Sequence, residues 1–500
     1  MNQLFEQLNP YLERNMAFEA AMTLFEWDLE TLAPTAGLEY TSKVIGILSD
    51  EYFKNIVNDQ VKTLVDQLKR ENDLSDQERA VVKELSDRLE KLKAVPPEEY
   101  KEYASLKAKS TAVWAKARKD QDYAAFAPVL EKVIFYEKRF ANYRSEKGKD
   151  LYNILLSDYE KDFDIKTLDR FFGELKTHII PLLKTVTAKN DAIDDSFLYA
   201  SYDIVKQREF ARFLAEYVGF DFERGILAES AHPFTTNLHN RDVRITTNYH
   251  EKNLASAIFS VIHEVGHGIY EMGIADDITQ TIVGTGASMG IHESQSRFFE
   301  NLIGRSKAFW KPIYGKLVAL FPTQLEKVSL DEFVKGINKV RPGLIRIEAD
   351  ELTYCLHIMV RYEMEKMIID GNIDIRELPG LWNDKYEEYL GVRPQNDAEG
   401  ILQDIHWSQG SFGYFPSYAL GTAFASQIYH HMNQEVDLNK VMESGVLKPV
   451  IEYLRTNLHQ YGKTKSAREL LTAVTGEDFN PHYYIEYLKE KYIRIYDIKV

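Results

Sequence analysis

The most informative stretch of this chain is His263-Glu264-Val265-Gly266-His267. Its pattern is H-E-x-x-H, and on an α-helix residues four apart lie on one face, one turn from each other. Two imidazoles in that arrangement can bind a single Zn²⁺ ion together. Glu264 lies on the same turn and can reach a water molecule at that ion.

The residues around this motif predict the helix that the spacing requires. Ile258, Ile262, Val265 and Ile269 recur at four- and three-residue steps, as on the buried face of a helix. Asn253 is the expected N-cap, because its side chain can accept a hydrogen bond from the first turn. The motif is typical of zinc metalloproteases. A hydrogen-bonded core cluster of two histidines and one glutamate is the structural alternative.

A third metal ligand would complete the site, and the residues themselves leave two candidates. A metzincin needs a His six residues after the motif, where this chain has Gly273. Glu271 is two turns, about 12 Å, from His263 and cannot share its metal. After a loop rich in Gly and Thr come His292 and Glu293, at the start of a second predicted helix. Both cannot point the same way on that helix.

The second segment resembles a family motif. H-E-x-x-H followed by H-E-S-x-S, here residues 292–296, is the pattern of the M32 metallocarboxypeptidases, which include bacterial thermostable carboxypeptidases. Three further motifs of that family match: D-x-R-x-T at 242–246, I-R-x-x-A-D at 345–350 and G-x-x-Q-D-x-H-W at 400–407. The stretches 27–31 and 413–418 are also similar, so the resemblance covers nearly the whole chain.

The resemblance and the helical patterns together imply a mainly α-helical protein. We expect one peptidase domain over residues 1–500, split by a deep substrate cleft, of the gluzincin type found in neurolysin and angiotensin-converting enzyme. The catalytic motifs lie within 232–418, and the helices of residues 1–230 form part of the cleft wall. The resemblance also implies a homodimer and Glu293 as the third zinc ligand.

Composition limits the class of protein and its partners. The chain of 500 residues has 44% hydrophobic residues, enough for a large core. Its formal net charge of -16 argues against nucleic acid or an anionic membrane as partner. One cysteine, Cys355, excludes an intrachain disulfide and fits a reducing compartment. With no secretory signal or membrane-spanning stretch recognisable, we expect a cytoplasmic protein.

Helical and strand patterns can be placed along the chain. Ser75-Asp76-Gln77-Glu78 is a capping-box pattern that predicts a helix ending before Pro96-Pro97. In the stretch 232–250, alternating apolar and polar residues predict a half-buried strand just before the H-E-x-x-H helix. Helical patterns are predicted, among others, at 98–118, 124–146, 165–185, 204–219, 308–320, 330–340, 344–369, 379–390 and 417–433.

The chemistry of such a site assigns roles to further residues. Zn²⁺, one per subunit, is the expected cofactor, with Co²⁺ or Mn²⁺ as substitutes. Glu264 is the expected general base, taking a proton from the attacking water and giving it to the leaving amine. The oxyanion needs a donor. A phenol can donate without carrying charge, and the family resemblance points to the stretch 413–418, so Tyr418 is the candidate, with Tyr414 as the alternate.

An enzyme that removes C-terminal residues must also bind a free carboxylate. Arginine does this best, and the candidates are Arg244, Arg297 and Arg346; the resemblance favours Arg346. His232 and His406 are further candidates for binding the peptide. The resemblance implies a broad-specificity, metal-dependent carboxypeptidase that acts on short peptides. A zinc endo-oligopeptidase and a non-catalytic peptide-binding protein are the alternatives, and the intact Glu264 argues against the latter.

Overall fold

The structure is a computed structural model that describes residues 2–145, 150–371 and 373–499. Most of the described chain is helical. The α-helices are α1 Gln3–Thr31, α2 Leu38–Ile56, α3 Asp59–Leu68, α4 Asp76–Lys93, α5 Pro97–Asp120, α6 Tyr123–Arg144, α7 Leu151–Leu156, α8 Ile165–Thr187, α9 Ile204–Val218, α10 Leu254–Gly273, α11 Met289–Arg297, α12 Lys307–Trp310, α13 Tyr314–Leu320, α14 Pro322–Leu325, α15 Leu330–Ile337, α16 Glu351–Ile369, α17 Leu378–Leu390, α18 Pro416–Glu435, α19 Leu438–Ser444, α20 Lys448–Asn457, α21 Ala467–Thr475 and α22 His482–Ile495. A π-helical turn, Phe298–Ile303, continues α11.

Short elements complete the secondary structure. The strands are β1 Gly225–Glu229, β2 Thr235–His239 and β3 Asp242–Thr247. Segments of 3₁₀ helix lie at Thr35–Gly37, Asn190–Ala192, Ser196–Tyr199, Arg346–Glu348, Ile375–Glu377, His406–Gln409 and His459–Thr464. Among the described residues, no helix combines the length and the apolar character needed to cross a membrane.

The chain divides into two compact units, each built from three segments. Unit 1 contains Met1–Glu90, Asp195–Ile337 and Ile428–Asp478. Unit 2 contains Lys91–Asp194, Asn338–Gln427 and Phe479–Val500. The H-E-x-x-H and H-E-S-x-S motifs belong to unit 1, and the I-R-x-x-A-D and G-x-x-Q-D-x-H-W motifs belong to unit 2. That the whole chain acts as one peptidase domain stays a prediction.

The small sheet of unit 1 has the strand order β1-β3-β2. Strand β3 pairs in parallel with β1 and antiparallel with β2. Val243 and Ile245 of β3 are fully buried, as alternation along a half-buried strand requires. Ile245 faces α10, because its side chain lies against Gly268 of that helix. The sheet therefore covers one side of the H-E-x-x-H helix, and β1 and β2 are its two edge strands.

Helix α10 forms for the reasons that the sequence indicates. The Asn253 side chain accepts a hydrogen bond from the Ser256 amide at 3.2 Å, which confirms the predicted N-cap. Ile258, Ile262 and Val265 are buried, which confirms the predicted apolar face. The helix is buried along nearly its whole length, so the polar side chains of the motif are held in low-dielectric surroundings.

Helices α10 and α11 approach each other very closely at Gly266. A Cβ atom on this residue would lie 2.7 Å from the Gln295 carbonyl oxygen and 2.7 Å from Ser296 Cα. Both are backbone atoms that cannot rotate away. Position 266 therefore requires glycine, because the backbone of α11 occupies the space that a side chain would need. This close contact brings the two motifs together.

Most of the predicted elements are present, and three differ. Ser75 and Glu78 form the predicted capping box, with hydrogen bonds in both directions. The 308–320 pattern was wrong as one helix, because the chain leaves helical geometry between α12 and α13. The 344–369 pattern began too early: Asp350 caps α16 by accepting the Leu352 and Thr353 amides. The stretch 232–250 forms two strands, β2 and β3, rather than one, and β3 ends at Thr247.

Candidate active site

The predicted metal ligands of unit 1 converge on one point. His263 and His267 from α10 and Glu293 from α11 offer ligand atoms that all lie within 4.8 Å of one another. Glu293 Oε2 is 3.8 Å from His263 Nε2 and 3.6 Å from His267 Nε2. Ligands on a tetrahedral Zn²⁺ with bonds of about 2.0–2.1 Å are separated by about 3.4 Å. Two imidazoles and one carboxylate in this arrangement fit a divalent cation.

Glu293, and not His292, is the residue of the second motif that joins the two histidines. Its Oε2 faces the imidazoles, and its Oε1 accepts a 2.7 Å hydrogen bond from Arg297 Nε. Arg297 also donates to Glu300 Oε2 at 3.1 Å. The guanidinium of Arg297, one of the three arginines considered for the substrate carboxylate, is thus engaged with carboxylates of this site.

A carboxylate behind each imidazole would fix its orientation, and His263 has one in direct contact. Its Nδ1 lies 2.9 Å from Glu300 Oε2, which leaves Nε2 for a metal. Burial alone would raise the pKa of Glu300, but Arg297 and His263 outweigh it and hold that pKa below its usual value. Glu300 was not recognised from the sequence. Its position seven residues after Glu293, on the same helical face, was the available signal.

Glu264 occupies the position expected of a general base. Its carboxylate is buried and accepts a 2.6 Å hydrogen bond from the hydroxyl of Thr235, the first residue of β2. Burial raises the pKa of Glu264 above its ordinary value. Burial of His267 keeps the pKa of its imidazole well below the ordinary value, and the neighbouring His292 and His263 lower that pKa further. This imidazole is therefore neutral and can bind a metal. Thr235 was not recognised from the sequence.

A second group of predicted residues lies together in unit 2. Arg346 donates to Asp404 Oδ1 through Nε at 2.9 Å and Nη2 at 2.8 Å. Arg361 is bound to the other oxygen of the same carboxylate, with Nε at 2.7 Å. This contact joins the I-R-x-x-A-D and G-x-x-Q-D-x-H-W motifs. The two guanidiniums hold the pKa of Asp404 well below its usual value despite its burial.

Aromatic residues of unit 2 surround Arg346. Its guanidinium lies 5.1 Å from the centre of the Tyr418 ring. The Tyr418 hydroxyl is 3.3 Å from His406 Nε2, and the Tyr414 ring is 5.1 Å from that of Tyr418. Burial lowers the pKa of His406 to about 4, so its imidazole is neutral near pH 7. The structure thus places four of the predicted residues in one cluster, which also contains Asp404.

Two predicted residues lie elsewhere in unit 1. Arg244 pairs with Asp242 through Nε at 2.8 Å and Nη2 at 2.9 Å. It neighbours Ile245 on β3 and so points to the face of the sheet opposite α10. His232 is exposed in the segment between β1 and β2. A role for either residue in binding peptide stays a prediction.

Comparison with known proteins identifies the family. Residues 7–492 match the family described as Carboxypeptidase Taq (M32) metallopeptidase. The chain belongs to the M32 family of metallocarboxypeptidases. This M32 enzyme is 43% identical to carboxypeptidase 1 of Bacillus subtilis over 487 residues, which cover 97% of each chain. It is 34% identical to thermostable carboxypeptidase 1 of Thermus thermophilus, over 97% of each chain.

Solved structures give the same result. The M32 carboxypeptidase of Deinococcus radiodurans superimposes with a TM-score of 0.96 at 31% identity, over 99% of this chain and 100% of that one. A Pyrococcus furiosus carboxypeptidase gives 0.95 at 34% identity, over 98% of this chain and 99% of that one. The M32 enzyme described here is thus a metal-dependent carboxypeptidase, mainly helical with a small sheet. The endo-oligopeptidase alternative is not favoured.

Proposed function

We propose that His263, His267 and Glu293 hold one Zn²⁺ ion per subunit, with Co²⁺ or Mn²⁺ as substitutes. The convergence of two Nε2 atoms on Glu293 Oε2 supports this assignment and is the observation that carries the proposal. When bound, the ion would polarise the scissile carbonyl and lower the pKa of water to about 7.

Glu264 would be the general base. Its carboxylate would take the proton of the attacking water and return it to the leaving amine. The Thr235 hydroxyl, donating to Glu264 Oε2 at 2.6 Å, would hold the carboxylate in one orientation and leave its other oxygen for the water. The raised pKa of Glu264 matches this task, because it brings the group closer to neutral pH.

Unit 2 would supply the groups that recognise the substrate. Arg346 would bind the free C-terminal carboxylate, since Asp404 fixes the direction of its guanidinium and a second cation, Arg361, offsets the Asp404 charge. Tyr418 would donate to the oxyanion, with Tyr414 as the alternate. The neutral His406 would orient Tyr418 through their shared hydrogen bond.

The edge of the sheet offers a further contact. Strand β2 is an edge strand, and it begins with the residue that contacts the general base. A peptide in extended form could add to this edge by backbone hydrogen bonds. Arg244 and His232 would contact the peptide in the same region.

The enzyme would release single residues, with broad specificity, from short peptides in the cytoplasm. It would act as a homodimer whose chains each form a single gluzincin-type domain. These statements extend the family resemblance and the acidic, cysteine-poor composition.

Mass spectrometry of one N-terminally blocked peptide, with a free or an amidated C-terminus, tests the proposal. Each form is digested with and without a chelator. We expect loss of single residues from the free-acid peptide alone, and no loss with chelator. Internal cuts in both peptides would contradict the carboxypeptidase assignment and remove Arg346 from its role.

A further inference from the structure

The His of the second motif, His292, has no role in the scheme above, yet it lies directly against a metal ligand. Its Nδ1 is 2.6 Å from His267 Nδ1. On the other side of the ring, its Nε2 is 2.6 Å from Glu271 Oε1. His292 therefore bridges a ligand of the proposed metal and a buried carboxylate that is too far along α10 to reach the metal itself.

The direction of each hydrogen bond in the series His267–His292–Glu271 follows from which atoms can donate and which can accept. When His267 binds a metal through Nε2, its proton is on Nδ1, and Nδ1 must donate. His292 Nδ1 must then accept, which places the proton of the neutral His292 on Nε2. That proton is donated to Glu271 Oε1, which as a carboxylate oxygen can only accept. One carboxylate thus selects the tautomer of both imidazoles.

Glu271, the last group in this series of hydrogen bonds, is held in place by several neighbours. Glu271 also accepts hydrogen bonds from the Asn237 side chain, the Thr285 hydroxyl and the Gly286 amide, so its carboxylate is oriented by groups from β2 and from the Gly- and Thr-rich loop. With only 2% of its surface exposed, Glu271 has no room to turn away from His292.

Gly286 and Tyr270 pack against the His292 ring. A Cβ atom on Gly286 would lie 2.5 Å from His292 Cδ2, so only glycine allows this approach. The Tyr270 ring lies 5.2 Å from the imidazole, and its hydroxyl accepts the Ala287 amide at 3.0 Å. The loop that carries Gly286 is anchored by buried apolar residues, among them Ile278 and Val283, in a core cluster with α3 and α4.

The two metal-binding imidazoles are therefore held differently. Glu300 contacts His263 directly at 2.9 Å, whereas Glu271 reaches His267 only through His292. We propose that His292 is a positioning residue that fixes the tautomer and ring orientation of His267 on behalf of Glu271. The proposal rests on the metal site described above and assigns to His292 a role in metal affinity, without contact to substrate.

The test is zinc affinity, measured by competition with a chromogenic chelator on the full-length protein. His292→Leu removes the acceptor for His267 Nδ1, and we expect affinity to fall about 10- to 100-fold, as for other partners behind a ligand. His292→Asn places an amide oxygen where Nδ1 was, and we expect most of the lost affinity to return. Glu271→Gln keeps the shape and removes the charge, and we expect an intermediate loss.

His459 provides a matched control. It is a fully buried histidine that lies 5.0 Å from the Tyr270 ring and is bonded to Gln295 rather than to a ligand imidazole. His459→Leu should lower the melting temperature of the metal-free protein while changing zinc affinity less than about threefold. The visible spectrum of bound Co²⁺ should change in His292→Leu and stay as in the parent in His459→Leu.

Each outcome decides the matter. If His292→Leu is folded by circular dichroism and binds zinc as tightly as the parent, the proposal is wrong. It is also wrong if His459→Leu loses as much affinity, because the effect would then be general packing. Should His292→Leu not fold, zinc affinity measured in His292→Asn and Glu271→Gln provides the same test. His263→Ala must lose zinc in any case; if it does not, the metal site itself has been misassigned.

Discussion

Two buried charge clusters of this enzyme have opposite sign. In unit 1, the carboxylates of Glu264, Glu293 and Glu300 outnumber the guanidiniums of Arg297 and Arg305 that pair with them. Buried charges are stable only when they are compensated. The surplus of negative charge at this cluster therefore suits a divalent cation.

The cluster of unit 2 carries the reverse surplus. Two guanidiniums, of Arg346 and Arg361, share the single carboxylate of Asp404. Tyr418 and Phe415 lie against Arg346 and limit its contact with water. An anion such as the C-terminal carboxylate of a peptide would compensate the remaining charge, and the aromatic surroundings would strengthen that interaction.

The two clusters therefore differ in the ion that each can compensate, a cation in unit 1 and an anion in unit 2. In both clusters a carboxylate lies behind a group that is proposed to bind a charged partner: Glu300 behind His263, and Asp404 behind Arg346. The functional group is oriented in advance, so little is lost in ordering it when the partner arrives. What differs is whether the cluster has an excess of anions or of cations.

Replacing the general base should have the largest effect. Glu264→Gln keeps an oxygen that can accept from Thr235 but cannot take a proton from water. We expect kcat to fall about 10³-fold or more, with zinc content unchanged. Steady-state hydrolysis of a free-acid peptide, with zinc measured by elemental analysis of the same sample, gives both quantities. Normal turnover in a zinc-loaded Glu264→Gln enzyme would disprove the mechanism.

Gly266→Ala should separate α10 and α11, the helices that carry His263, His267 and Glu293. Its Cβ would meet backbone atoms of α11 at 2.7 Å, and relieving that overlap costs about 1–3 kcal/mol. We expect a lower melting temperature and zinc affinity reduced about tenfold or more. Gly315→Ala in α13 is the control: its Cβ meets no atom within 4 Å, and this variant should be as stable as the parent or slightly more stable. Equal behaviour of the two variants would contradict the role given to Gly266.

A smaller effect is expected from His406 of unit 2, on the pH dependence of the free energy of unfolding. The pKa of His406 is lowered to about 4 by burial, whereas an unfolded histidine titrates near 6.5. Its contribution to the free energy of unfolding is therefore complete above pH 6.5 and is lost as the pH falls from 6.5 to about 4.

The measurement compares metal-free His406→Asn with the parent between pH 7 and pH 5. We expect the parent to lose about 1–2 kcal/mol more than the variant over this range. His232→Asn, which removes an exposed histidine, should follow the parent. An identical loss in the parent and in His406→Asn would show that His406 is not held neutral by the fold.

The parts of the candidate site that depend on local information can be predicted from the sequence. The spacing of His263 and His267 is a property of one helix, and an apolar period of four and three residues identifies that helix without reference to the rest of the chain. The choice of Glu293 over His292 needed the family resemblance. From the residues alone both were open, because nothing in the spacing shows which side of α11 faces α10.

What could not be predicted depends on contacts between distant segments. Thr235 reaches Glu264 across 29 positions, and Asp404 reaches Arg346 across 58. No local pattern encodes such pairs. Strand β1 was also missed, since its intermediate burial at most positions gives no alternation to recognise, and its place beside β3 is set by the parallel pairing.

The most direct test of the account compares free-acid and amidated forms of one peptide in the parent and in Arg346→Ala. We expect the parent to cleave the amide little or not at all, because the amide lacks the charge that Arg346 is proposed to bind. We predict that kcat/KM for the free acid falls about 10²-fold or more in Arg346→Ala, a loss of at least about 2.7 kcal/mol. Zinc content and any activity on the amide should change little. An equal loss on both peptides would contradict the account, since the positive cluster of unit 2 would then not be the site that recognises the C-terminus.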